Sequence, residues 1–170
     1  MSSLPRVTDL TRERIAREFD ERGPDTCVRE ITLDLEVNNP ELLDIAARCA
    51  RDVGDATRVM TRFCMFYALL ISEAGATLDT PPDIETLRLN LLPRVTPETR
   101  ASIVERIDAG GSKRFTREAL EELERDNPAL LAMAHSFAEE QSDYIGIMQG
   151  FALLYVSLSA EAAQQHRSLH

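Results

Sequence analysis

One stretch of this chain occurs twice. Residues 4–77 lie over residues 92–165 without a gap, at a constant offset of 88, and 27 of the 74 paired positions are identical. Leu4-Pro5-Arg6-Val7-Thr8 returns as Leu92-Pro93-Arg94-Val95-Thr96, and Asn39-Pro40 returns as Asn127-Pro128. A unit repeated at a fixed spacing has to solve one burial problem twice, which narrows the folds open to the chain more than composition does. It also provides an internal comparison. Side chains kept in both copies are ones the unit uses wherever it stands.

Each copy reads as four helices. Thr8 and Thr96 are good N-caps, and Gly23 or Gly110-Gly111 supplies the stop for the first helix. A second helix over roughly 25–37 and 113–125 carries Cys27, Ile31 and Leu35, or Phe115, Ala119 and Leu123, on one face. The third opens at Asn39-Pro40 and Asn127-Pro128, read as an Asn cap followed by Pro at a position where no N–H is needed. The fourth starts at the caps Asp55 and Asp143. It has an apolar stripe at 60, 63, 67, 70 and 74, repeated at 148, 151, 155, 158 and 162. In the first copy the remaining faces are apolar too, as expected of a helix at the centre of a body. The spacing therefore predicts an all-α protein: a tandem duplication of a four-helix unit forming one pseudo-two-fold bundle. Residues 1–77 form the first repeat, 78–91 the linker and 92–170 the second repeat, with helices four and eight adjacent in the middle. In the linker, Ile84, Leu87 and Leu91 suit one short helix after the break at Pro81-Pro82. An exposed face on helix four or eight would instead make a homodimer.

Composition narrows the function classes. The formal charge is -10 and the pI about 4.8, so a phosphate backbone or an anionic membrane surface repels the chain on average. Arginines alternate with acids, as in Arg12-Glu13-Arg14, which describes a solvated helix face. The start lacks the apolar run of a secretory signal, and the window Val59–Ile71 is too short to span a bilayer. A cytoplasmic protein that engages neither nucleic acid nor membrane is expected.

Motifs for chemistry are few. Cys27, Cys49 and Cys64 stand opposite Phe115, Phe137 and Ala152, so they read as small buried hydrophobes. CxxC, HExxH, Glu-x-x-His, GxSxG and a Gly-rich phosphate loop are missing, and no metal or cofactor is expected. Gly146 and Gly150, facing Arg58 and Arg62 in the other copy, suit a close helix approach. His135 and Tyr144 have no counterparts in the first half, so a pocket confined to one copy would be sought near them.

The polar residues kept in both copies are the candidates for contact with a ligand or partner. Arg12 and Arg100 sit in first turns, where a cation opposes the helix dipole. An ion pair to another helix would offset this. Alternatively Arg6, Arg12, Arg94 and Arg100 hold an anionic ligand or an acidic partner segment. Tyr67 and Tyr155, on the central stripe, need acceptors for their hydroxyls, for which Glu30 and Glu118 are candidates. The favoured reading is a non-enzymatic protein acting through protein–protein contacts, most simply as a homodimer, with a broad patch along helix four or eight. The alternative is a small-molecule binder or enzyme with an apolar pocket between the repeats, rimmed by Tyr67, Tyr155, Glu30 and Glu118.

Overall fold

A computed structural model describes residues 4–76 and 92–168; the linker expectation at 84–91 lies outside them. Eight helices and no strands are found among the described residues. They are α1 Asp9–Arg22, α2 Pro24–Asn38, α3 Pro40–Asp52 and α4 Ala56–Ala76, then α5 Pro97–Gly110, α6 Ser112–Asp126, α7 Pro128–Glu139 and α8 Tyr144–Ser168.

The helix ends follow local chemistry. Thr8 and Thr96 accept from the backbone N–H of Thr11 and Thr99 through their hydroxyls. Gly23 and Gly111 end α1 and α5 at φ +90° and +87°, a backbone conformation that side chains resist. Asp55 and Asp143 accept from the N–H groups of Arg58 and Gly146.

The packing is the same in both halves. The long helix of each unit, α4 or α8, is flanked by the three helices that precede it. Across the repeats α3 packs on α8, and α7 packs on α4. Phe63 and its own copy Phe151 touch edge to face with ring centroids 5.0 Å apart. Two equivalent residues in mutual contact mark a symmetry axis, so the pseudo-two-fold passes between these rings. The helices α4 and α8 thus meet through side chains, as expected, while their closer backbone neighbours across the repeats are α7 and α3. Every residue from 63 to 72 is buried, and Phe151, Ala152 and Tyr155 have no exposed surface. Among the described residues no broad exposed apolar patch runs along either central helix. The segment Tyr144–Gln164 is long and apolar enough to cross a bilayer by length and composition, and more than half of it is buried in this body.

A polar link also joins the repeats. Asn39 is fully buried: its Oδ1 accepts from the Val95 N–H at 2.9 Å and its Nδ2 donates to the Pro93 carbonyl at 2.9 Å. Asn127 does the same for Val7 and Pro5, at 2.9 Å in both bonds. Each repeat therefore clasps the extended lead-in of the other. Both asparagines stand at the N-caps of α3 and α7, as expected, but neither side chain bonds its own helix. The lead-in is also held by its own repeat, because Glu73 accepts from the Thr8 N–H and hydroxyl, and Glu161 from those of Thr96.

Candidate functional site

Most polar residues kept in both copies serve this architecture. Arg100 pairs with Glu41 and Asp44 on α3, at 2.9 and 2.7 Å. Its hydrogen bond holds the Asp44 carboxyl below the usual carboxylate range. Arg12 reaches across the axis in the same way, but there Ala129 and Ala132 replace the acids, and it donates to the Ala129 carbonyl at 3.4 Å. Arg6 and Arg94 are exposed. Glu30 is paired with Arg22 at 2.6 Å and Glu118 with Arg114 at 3.0 Å. Tyr67 instead faces the Asn39 amide and the Asp34 carboxylate, and burial pushes its hydroxyl pKa well above normal. Tyr155 is fully buried. The eight residues are dispersed and do not form one site.

The space beside Tyr67, lined by Leu35, Leu42, Phe63 and Leu158, is an apolar gap of about 10 Å³. That holds at most one water. A larger hollow of about 290 Å³ lies elsewhere between the repeats, among Cys49, Asp52, Ile107, Phe115, Gly146 and Gly150. At the place related by the pseudo-two-fold, Arg62 stands where Gly150 would be, and its guanidinium covers the Phe137 ring at 5.2 Å. Among the described residues no three His, Cys, Asp or Glu side chains converge to hold a metal. The three cysteines are free. Desolvation pushes the Cys49 thiol up to about 11 and Cys64 up to about 12, so neither is a thiolate near neutrality.

The two copies differ most on the α2 face of the first repeat. A groove of about 570 Å³ runs between α2, α3 and α4. Val28, Leu43, Ala47, Ala50 and Met60 are among its apolar lining, and Asp25, Arg29, Thr32, Glu36, Thr57 and Thr61 form its polar one. In the second repeat the positions of Ala47 and Ala56 are held by His135 and Tyr144. Their side chains bridge α7 and α8, with His135 Nδ1 and the Tyr144 hydroxyl 2.8 Å apart and the rings edge to face. His135 and Tyr144 thus occupy the place that in the first repeat is the open groove. Beside the groove, Leu33 and Val37 of α2 are 56% and 72% exposed. Glu121 and Arg125 occupy those positions in the second repeat. The exposed apolar residues Leu10, Val104 and Ile145 lie outside this groove.

Sequence reasoning missed this surface because it weighed positions that the copies share. The signal was in the differences: Leu33 against Glu121, Val37 against Arg125, Ala47 against His135 and Ala56 against Tyr144.

Fold and surface together define a tandemly duplicated helical protein with one repeat modified on its outer face. Comparison of the chain with protein-family models, curated proteins and solved structures finds no match.

Proposed function

We propose that this is a non-enzymatic cytoplasmic protein that acts by docking another protein on the α2 face of its first repeat. The observation that carries the reading is the coincidence of two departures from the repeat pattern. An apolar ridge, Leu33 and Val37, and an open three-helix groove lie side by side where the second repeat has charges and a His–Tyr bridge. Exposed apolar side chains next to an apolar groove are the usual ingredients of helix-mediated recognition. The acidic surface and free thiols suit a reducing interior without nucleic-acid partners.

Photocrosslinking in the cells that make the protein tests this. A photoreactive side chain at position 33 or 57 is expected to give protein adducts, and the same probe at the equivalent positions 121 and 145 is not. Absence of adducts at 33 and 57, or equal yields at all four positions, contradicts the proposal.

A second reading, a small ligand between the repeats, is supported by the hollow at Gly146 and Gly150 and not by the tyrosines. Its size sits at the lower limit of ligand pockets. Ser112→Trp would fill that hollow, and loss of function with position 33 tolerant to change would favour this reading over docking.

A further inference from the structure

We propose that the occupant of the α2 face is a second copy of this chain, joined by an antiparallel pairing of α2 with the partner's α2 across a two-fold axis. The proposal rests on the reading of this face as a docking surface. It starts from the charges along the helix. Arg29 and Glu36, seven residues apart, are both exposed at the groove and have no ion-pair partner among the described residues. Two turns of helix separate them, so they point the same way. A parallel pairing would set Arg29 against the partner's Arg29. An antiparallel pairing about an axis between Thr32 and Leu33 sets Arg29 against the partner's Glu36, and Glu36 against the partner's Arg29. Self-complementary charge of this kind is what an isologous interface requires, and it selects the orientation.

The apolar residues agree with that register. Leu33 comes next to the axis and meets the partner's Leu33, on the side of the helix pair where Val37 also lies. The second repeat carries the same charges as Arg117 and Glu124, so charge alone does not choose between the faces. The choice is made by Leu33 and Val37, which on α6 become Glu121 and Arg125. A single helix pair with two exposed apolar side chains per copy is a small interface, and the association is correspondingly weak and reversible.

Sedimentation equilibrium of the full chain, over concentrations reaching roughly 300 µM because small interfaces bind weakly, reads the outcome. The mass is expected to rise from 19.1 kDa toward twice that value. Arg29→Glu and Glu36→Arg, each alone, raise the dissociation constant by about tenfold or more through like-charge contacts. An equimolar mixture of the two variants associates as the unmodified chain does, since one then carries two acids and the other two bases along the rim. Leu33→Glu with Val37→Arg, the second repeat's own residues, leaves a monomer whose circular dichroism melt is unchanged. A chain that stays monomeric throughout, or a mixture no tighter than its components, overturns the second-copy assignment. Adducts from position 33 to a different protein would also overturn it while leaving the docking face standing; no adducts at all would remove both.

Discussion

Asn39 and Asn127 carry the most structural weight per atom. Each is buried and makes two bonds to the backbone of the other repeat. Asn39→Ala would leave the Val95 N–H and the Pro93 carbonyl buried without this partner, and should destabilise the fold by about 1–3 kcal/mol in urea denaturation. Asn127→Ala should cost about the same, since the sites are equivalent. Sequence alone flagged both residues as kept, but gave them the nearest local role, capping. A local rule needs only neighbours three residues on, whereas these partners lie 54 to 122 residues away. Arg100 was legible as an ion-pair residue, and its acids Glu41 and Asp44 were not, for the same reason. The thiols give a pH prediction. In the unfolded chain they ionise near pH 8.5, roughly, below the folded values of about 11 and 12. Below the unfolded value both states keep the proton. As pH rises from there through the folded values, the unfolded chain ionises first and stability falls. Between about pH 8 and about pH 10, Cys64→Ala should lose less stability than the unmodified chain, by on the order of 1 kcal/mol, measured by urea denaturation at each pH.

At the scale of elements, the starts, stops and buried stripes were readable because helix chemistry is local and periodic. The glycines of α8 show what periodicity leaves out. A Cβ at Gly150 would come within 2.6 Å of the Phe63 Cζ, and Phe63 is held against Phe151 at the axis. Gly150→Ala should therefore destabilise by about 1–3 kcal/mol through overpacking, despite better helix propensity. Gly110, the last residue of α5, meets only the Arg114 Cδ at 3.6 Å. Gly110→Ala should be neutral or stabilising by up to about 1 kcal/mol, because it lowers the entropy of the unfolded chain. Chemical denaturation of the two variants side by side checks the contrast. The groove is also a property of elements. It requires small residues on α3 and α4 where α7 and α8 carry His135 and Tyr144, and only knowledge of which helices are neighbours turns those four positions into one surface.

For the molecule as a whole, the duplication fixed the architecture and left the relation between the copies open. The reciprocal packing of α3 on α8 and α7 on α4, with Phe63 against Phe151, turns two units into one body. A shared core of this kind should unfold in a single transition, with fluorescence-free probes such as circular dichroism and hydrogen exchange giving coincident midpoints. The asymmetry of the outer faces is where the proposed docking would fall. The central claim is that each half holds the other's lead-in, and amide exchange at Val7 and Val95 tests it most directly. Asn39→Ala should accelerate exchange at Val95 while Val7 stays protected, and Asn127→Ala should do the reverse. Loosening of Val7 by Asn39→Ala with Val95 still protected would contradict the exchange of contacts between the repeats.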